Sequence, residues 1–341
     1  MSVVAENRII EAAIVGLGRH GRKLVGAVQG KSDRLRFARG IVRQPGAAAA
    51  FAREHGLALS TDFAAALADP AVRAIVLATP HSQHAGQVIA AAAAGKPVFC
   101  EKPLALTLAD AARAVAACRK AGVILGVGTD KRFWPSMQAL RRAVASGELG
   151  EILHVEAHNS NEVSRDFAES WRDAPDESPG GGMTGTGIHA LDALISIAGP
   201  VRSLHAQLLA GAQRPEPRDT ISVVFEFASG ISGTMATVRA TPFYWRVHVF
   251  GAKGSAEALG RDRLVVRRSG AQPVAQTLGP LDALRAELDA FADAVAGRAP
   301  YPIPVSDMLA TVAAFEAIVR SIESRARVTL PTARNGQDSH G

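Results

Sequence analysis

Hydrophobic positions in the first 130 residues fall into short apolar runs separated by segments with helical features. The runs predict buried strands at 12–15, 37–42, 74–78, 98–100 and 123–127. Helices are predicted at 19–28, from Pro45, from Ser60 to Leu67, from the residues after Pro80 to about Ala94, and at 107–120. Strands separated by helices of this length are typical of βαβ units, so the pattern predicts a parallel, doubly wound sheet.

The pattern changes after about residue 130. Several strand-like segments now alternate apolar and polar positions, and they lie at 152–158, 204–209, 221–227, 233–239 and 246–250. Helical patterns occupy about 135–146, 188–197, 281–295 and 306–324. Alternation of this kind is typical of antiparallel sheets with one solvated face. We therefore expect an α+β domain with a large, mostly antiparallel sheet.

The length and hydrophobic content support two folded domains. The chain has 341 residues, 48% of them hydrophobic and 21% charged, which excludes a disordered protein. We predict an N-terminal α/β domain over residues 1–128 and a substrate-binding and oligomerisation domain over 129–331. The polar residues 332–341 are predicted to form a flexible tail.

Charge and cysteine content exclude several functional classes. The net charge is +6, but the 31 arginines and seven lysines are scattered, so we do not expect a nucleic-acid partner. The two cysteines form no CxxC pair and no HExxH pattern occurs, which argues against a metal site. No apolar run reaches about 18 residues, so we expect neither a membrane span nor a signal peptide. A cytoplasmic location is predicted.

The segment Gly16-Leu17-Gly18-Arg19-His20-Gly21 is a GxGxxG loop. It follows an apolar strand and opens a helix, which is the context that a dinucleotide-binding loop requires. Gly16 permits the tight turn, Gly18 lets the backbone approach a pyrophosphate, and Gly21 lets helix and strand pack closely. A glycine turn without a ligand is the alternative. The motif predicts a Rossmann fold for the first domain.

The residue that ends the second strand indicates which dinucleotide binds. NAD-specific proteins place an acidic residue about 20 positions beyond the loop, where it binds the ribose 2′-hydroxyl. Here Arg43 occupies that position. A guanidinium suits a 2′-phosphate, so NADP is favoured over NAD. The alternative is that Arg43 only projects into solvent.

Further motifs complete a family pattern. With the glycine loop they resemble the Gfo/Idh/MocA family of NAD(P)-dependent oxidoreductases, which includes glucose-fructose oxidoreductase and inositol dehydrogenase. The motifs are Thr79-Pro80 with His84, Glu101-Lys102-Pro103, Lys131-Arg132-Phe133 with Pro135, Trp171-Arg172, and the stretch 180–192 that contains His189. Their order and spacing match the family over nearly the whole chain. The resemblance implies hydride transfer at a CH–OH group of a sugar, cyclitol or related polyol.

The resemblance also assigns residues to sites. It implies that the cofactor contacts Gly16, Gly18, Arg19, His20, Gly21, Arg43, Thr79, Pro80, His84, Glu101, Lys102 and Arg132. It implies that the substrate contacts Lys102, Trp171, Arg172, His189 and Asp192. Similar proteins often have a cis bond before the proline that corresponds to Pro103. Arg172 together with Arg165 can also bind an acidic group.

Lys102 and His189 are the predicted catalytic residues. Oxidation of an alcohol requires removal of its proton, and a lysine beside a cationic nicotinamide ring has a lowered pKa. Many family members carry an aspartate four residues before the histidine, but this chain has Gly185 there. His189 is therefore expected to be oriented by Asp192, Thr184 or Thr186, or only to bind substrate. A structural histidine at a helix start is the alternative.

Two other functions remain open from the sequence. One is a non-catalytic, cofactor-dependent binding or regulatory protein of the same fold, which the presence of Lys102 and His189 disfavours. The other is an NAD-dependent glycoside hydrolase, which retains its cofactor, whereas Arg43 favours an exchangeable NADP. By resemblance we expect a homodimer or homotetramer that associates through the open face of the C-terminal sheet. The sequence does not identify the substrate.

Overall fold

The computed structural model describes residues 9–161, 170–210, 219–239 and 241–331. The predicted tail at 332–341 and Arg165 lie outside these ranges. Two sheets organise the described chain, one of six strands and one of nine.

The first sheet is parallel and doubly wound, as predicted. Its strands follow the order β3-β2-β1-β4-β5-β6. They are β1 (Ile10–Val15), β2 (Leu35–Ile41), β3 (Ala58–Ser60), β4 (Ala74–Leu77), β5 (Val98–Glu101) and β6 (Leu125–Gly128). The helices between them are α1 (Arg19–Val28), α2 (Pro45–His55), α3 (Phe63–Ala68), α4 (His84–Ala93) and α5 (Leu108–Ala121). Strand order reverses between β1 and β4, which opens a crevice at their carboxyl ends.

The second sheet is antiparallel except where β7 pairs with β10, which confirms a mostly antiparallel second half. Its order is β14-β13-β12-β11-β7-β10-β9-β8-β15. The strands are β7 (Ile152–Ser160), β8 (Val201–Ala210), β9 (Asp219–Phe227), β10 (Ser232–Val238), β11 (Tyr244–Gly251), β12 (Gly254–Leu259), β13 (Arg263–Arg268), β14 (Val274–Thr277) and β15 (Val328–Thr329). The sequence pattern did not predict the strands β3 and β12–β15.

In the described part of the chain, the α-helices after the first sheet are α6 (Pro135–Ala145), α7 (Ile188–Ala198), α8 (Ala283–Val295) and α9 (Val305–Ser324). The helices α7 and α9 pack together and contact the large sheet. The helix α8 instead returns to the first sheet, where Phe291 meets Phe99 edge to face with ring centroids 5.7 Å apart. Residues late in the chain thus complete the core of the first half. The domain boundary at 128/129 stays a prediction.

No helix in the described parts of the chain is both long and apolar enough to cross a membrane.

Candidate active site

The glycine loop joins β1 to α1 and has the close packing that its motif requires. Gly16 has φ +94°, and a Cβ there would lie 2.6 Å from the Ala78 carbonyl oxygen. A Cβ on Gly21 would lie 2.0 Å from the Gly16 oxygen, so only glycine fits both positions. A Cβ on Gly18 would meet nothing within 4 Å. The open space above Gly18 and the amino end of α1 fit a pyrophosphate.

A cleft runs from this loop along the carboxyl ends of the strands. It is bordered by Gly16, Gly18, His20, Arg43, Thr79, Pro80, Trp171 and Arg172. Arg43 lies exposed at its rim, just after β2. Arg22 borders the same part of the cleft and was not predicted from the sequence. Its guanidinium donates to the Leu17 oxygen at 3.1 Å and to the Ala47 oxygen at 2.9 Å. These bonds fix the loop against the start of α2.

Lys102 lies directly after β5, and its bond to Pro103 is cis. His84 is fully buried beneath this turn. Its ring nitrogens lie 2.7 Å from the Pro103 oxygen and 3.0 Å from the Thr79 oxygen. His84 therefore holds the two turns on which Thr79 and Lys102 sit. The Lys102 ammonium crosses the cleft and donates to the Gly185 oxygen at 2.8 Å.

Burial lowers the pKa of Lys102 to about 8. The neighbouring cations Lys131 and Arg172 also lower this pKa, while the carboxylates of Glu101 and Asp130 oppose the shift. A pKa near neutrality lets one amine both accept and donate a proton, as an acid-base group must.

Glu101 ends β5 and faces His20 from α1, with Oε1 and Nε2 2.8 Å apart. Burial by itself raises the pKa of Glu101, but His20 and Lys102 outweigh it and lower the pKa. The buried carboxylate therefore keeps a negative charge beside Lys102. This negative charge favours the protonated form of Lys102 and so raises its pKa.

His189 enters the cleft from the start of α7. Its nearest carboxylate is that of Asp130, with Nδ1 and Oδ1 3.8 Å apart. Burial, with Lys131 and Lys102 nearby, lowers the pKa of His189 well below its usual range, so the imidazole is neutral. The sequence reading missed Asp130, although it directly precedes the Lys131-Arg132-Phe133 motif.

The three residues expected to orient His189 have other partners. Thr184 donates to the Pro179 oxygen at 2.6 Å, and the Thr186 hydroxyl accepts from Asn161 at 3.3 Å. Asp192 is held by Arg132, as described next.

Arg132 and Asp192 form a buried ion pair in the structure, and their expected contacts with cofactor and substrate stay predictions. Arg132 donates to both carboxylate oxygens of Asp192, at 2.7 and 2.8 Å, and to Asp307 at 2.7 Å. The Arg132 and Asp192 side chains are 2% and 5% exposed. The bidentate pair ties the turn after β6 to α7 and so fixes the position of His189.

Trp171 and Arg172 dock on the turn after β4. The Trp171 ring meets His81 edge to face with centroids 5.1 Å apart, and the Arg172 guanidinium lies 4.2 Å from the Trp171 centroid. His81 Nδ1 lies 2.7 Å from the Glu177 oxygen, and burial lowers its pKa to about 3. The segment around Trp171 thereby covers the middle of the cleft.

Glu287 on α8 borders the same cleft and was missed by the sequence reading. It is fully buried, and neither carboxyl oxygen has a hydrogen-bond partner among the described residues. Burial, with Glu101 and Asp130 nearby, raises its pKa well above the usual range. The group therefore keeps its proton to a higher pH than an ordinary glutamate does. The available signal was its spacing, because Glu287 lies four residues from both Ala283 and Phe291 on the buried face of the helix.

The glycine loop, the reversal of strand order and the cleft define a dinucleotide-binding protein of the Rossmann type. The model of the oxidoreductase family with an NAD-binding Rossmann fold, GFO_IDH_MocA, matches residues 10–129. The model of the GFO/IDH/MocA C-terminal domain matches residues 137–257. The chain belongs to the Gfo/Idh/MocA oxidoreductase family.

Relatives in this family have named activities. A mouse trans-1,2-dihydrobenzene-1,2-diol dehydrogenase is 30% identical over 190 residues, which is 55% of this chain and 56% of that protein. The match to the corresponding bovine and porcine enzymes spans 62% of their length. The 1,5-anhydro-D-fructose reductase of Ensifer adhaerens is 28% identical over 286 residues, 80% of this chain and 84% of that protein.

The fold is also shared with the WlbA dehydrogenase of Bordetella pertussis in complex with NADH and UDP-GlcNAcA. The two chains superpose with a TM-score of 0.84 and 25% identity, over 96% of this chain and 99% of the other.

Proposed function

We propose that the protein is an oxidoreductase that transfers a hydride between a nicotinamide cofactor and a CH–OH group of a sugar, cyclitol or related polyol. The observation that carries the proposal is Lys102. Its amine, with a pKa of about 8, lies after β5 in a cleft that also contains the glycine loop and His189. The dehydrogenase and reductase relatives support the same reaction class.

Different residues of the cleft bind the cofactor, transfer the proton and bind the substrate. The glycine loop and the amino end of α1 would hold the pyrophosphate, and the bound nicotinamide would supply or accept the hydride. Neutral Lys102 takes the hydroxyl proton during oxidation, and the ammonium returns it to the carbonyl oxygen during reduction. The Gly185 oxygen accepts one lysine hydrogen and so orients the amine. Neutral His189 binds a substrate hydroxyl beside it.

We further propose that NADP is preferred, because exposed Arg43 borders the cleft in the position usual for an acidic residue. Arg43→Asp should weaken NADP binding by roughly 10- to 150-fold, since a charged hydrogen bond contributes about 1.5–3 kcal/mol. Calorimetric titration with NADP and NAD measures the change. Arg53→Asp, an exposed change on α2 away from the cleft, serves as the control. An unchanged preference in Arg43→Asp would refute the assignment.

A panel of sugars and polyols with NAD and NADP separates the enzyme from its alternatives. Steady formation of reduced cofactor with any polyol supports the oxidoreductase. A regulatory protein would bind cofactor without turnover, and a glycoside hydrolase would cleave a glycoside with no net reduction.

We also propose a homodimer or homotetramer built on the open face of the second sheet. That face exposes apolar side chains such as Val224, 60% exposed, and Tyr244, 47% exposed. Sedimentation velocity tests this, and a monomer at micromolar concentration would contradict it. A cytoplasmic location stays a prediction, which the two buried free thiols of Cys100 and Cys118 support.

A further inference from the structure

Two cations border the substrate end of the cleft with no carboxylate at ion-pair distance among the described residues. Lys131 and Arg261 both border the cleft that contains Lys102 and His189, and neither borders the part around the glycine loop. Burial lowers the pKa of Lys131, while the more distant carboxyl groups of Asp130 and Glu287 oppose that shift. Among residues 9–161, 170–210, 219–239 and 241–331, no carboxylate forms an ion pair with either side chain. Arg246, in contrast, contacts both Glu156 and Glu257.

Aromatic rings hold these two cations in place. The Lys131 ammonium lies 5.1 Å from the Trp134 ring centroid and 5.5 Å from that of Trp245, and the Arg261 guanidinium lies 5.5 Å from Trp134. Trp134 and Trp245 are 4% and 1% exposed and meet edge to face at 5.3 Å. Cation–π contacts position both charges but do not neutralise them.

The backbone around Arg261 is also fixed. Ser136, at the start of α6, donates its N–H to the Arg261 oxygen at 3.0 Å and its hydroxyl to the Gly260 oxygen at 2.8 Å. The turn that carries Arg261 is thereby attached to the helix that follows Lys131 and Trp134. Lys131 and Arg261 are therefore both held against Trp134, so their positions are coupled.

The local charge balance favours an anion. The carboxylates of Glu101 and Asp130 border this end of the cleft. Glu101 lies 2.8 Å from His20, whereas Asp130 lies 3.8 Å from the neutral His189 and acts electrostatically on Lys131. Burial raises the pKa of Glu287, which weakens its compensation of the nearby positive charges. Among the described residues that border this end of the cleft, these carboxylates face the cations Lys102, Lys131 and Arg261.

We propose that Lys131 and Arg261, on the Trp134 platform, form a subsite for an anionic group of the substrate, a carboxylate or a phosphate. The substrate is then an acidic sugar or polyol rather than a neutral one. The proposal rests on the proposed function, since it extends the same cleft. An anion there lies beside Lys102 and His189, so the subsite also orients the reacting carbinol.

Matched ligands test the subsite by binding rather than by turnover. The protein is first saturated with NADP, so that the glycine loop cannot bind the added anion. D-gluconate and D-sorbitol differ only in one terminal carboxylate, and D-glucose 6-phosphate and D-glucose differ only in the phosphate. We expect the wild type to bind at least one anion about 10- to 100-fold more tightly than its neutral partner, and the better pair identifies the anionic group.

Variants locate the effect. Arg261→Met and Lys131→Met should each remove most of this preference, whereas Arg263→Met and Lys253→Met, which lie outside the cleft, should retain it. Equal binding of both members of each pair by the wild type, including no binding of any, overturns the proposal. A preference that survives in Arg261→Met and Lys131→Met overturns it as well. Oxidation of neutral polyols with no charge preference would contradict the subsite while leaving the proposed function intact.

Discussion

Lys102 belongs to the first half of the chain but forms a hydrogen bond with the second half. Its backbone belongs to the turn after β5, but its ammonium donates to Gly185, which precedes α7. The lysine is thus fixed by a proline turn on one side and by a carbonyl on the other. We predict that Lys102→Ala lowers kcat by about 10²- to 10⁴-fold with little change in cofactor affinity, because only the proton transfer is lost.

His189→Ala should have a smaller effect, and part of it should appear in KM. The reason is that, among the residues the structure describes, the carboxylate facing the neutral imidazole is that of Asp130, 3.8 Å away. Steady-state kinetics of both variants with one polyol compares them. A larger loss for His189→Ala would make the histidine the principal acid-base group.

Gly185 offers a second test at the residue scale. A Cβ there meets nothing within 4 Å, so a side chain fits beside Lys102 and His189. Gly185→Asp adds a carboxylate that stabilises the ammonium, so the pKa of Lys102 should rise by about 1 unit. The pH at which the oxidation rate is half maximal should rise with it. Gly185→Asn has the same shape without the charge and should leave that pH unchanged; equal shifts in both variants would refute the electrostatic explanation.

The sequence predicted sites at the loop glycines and Lys102 because a local motif contains each of them. It did not identify Asp130 and Glu287, because their positions in the cleft depend on packing between distant segments. For Arg132 and Asp192, the motif predicted contact with ligands but not the buried ion pair that joins the two side chains. The ion-pair partner of a charged residue in a motif depends on tertiary packing, which the motif does not contain.

Among the secondary-structure elements, α8 carries an unusual buried group. Glu287 lies on its inner face, with a pKa raised by burial above the ordinary value near 4.5. The folded state then binds this proton more tightly than the unfolded state, so stability is full below about pH 4.5 and falls as the pH rises toward the raised pKa.

We predict that Glu287→Gln, which cannot ionise, increases the melting temperature relative to wild type by a margin that grows between about pH 5 and 9. Differential scanning calorimetry at several pH values measures the margin. Glu323→Gln, an exposed change on α9, should show no such trend. A margin independent of pH would mean that ionisation of Glu287 does not destabilise the folded protein.

Three of the missed strands, β3, β14 and β15, share a physical cause. β3 has three residues, β15 has two, and all four residues of β14 are exposed, so none of them shows the burial alternation on which a sequence pattern depends. They become strands because a neighbouring strand supplies hydrogen-bond partners at the sheet edge. The central strands, buried on at least one face, were identifiable from their apolar residues.

At the scale of the whole molecule, the candidate site is shared between both sheets. The glycine loop, Lys102 and Asp130 follow strands of the first sheet, while His189 and Trp171 come from segments beyond it. Buried ion pairs of Arg132 with Asp192 and Asp307 connect the turn after β6 to α7 and α9. Removal of one buried partner leaves the other charge unpaired, so these contacts fix the geometry of the cleft.

The return of α8 to the first sheet has a consequence for protein synthesis. Leu288, Phe291 and Ala292 fill the same core as Ile10, Phe37 and Phe99. A ribosome releases the chain from its amino end, so the strands of the first sheet emerge long before the helix that covers them. Until then the face of that sheet beneath α8 stays open to water. The nucleotide-binding half is therefore made first but completed late.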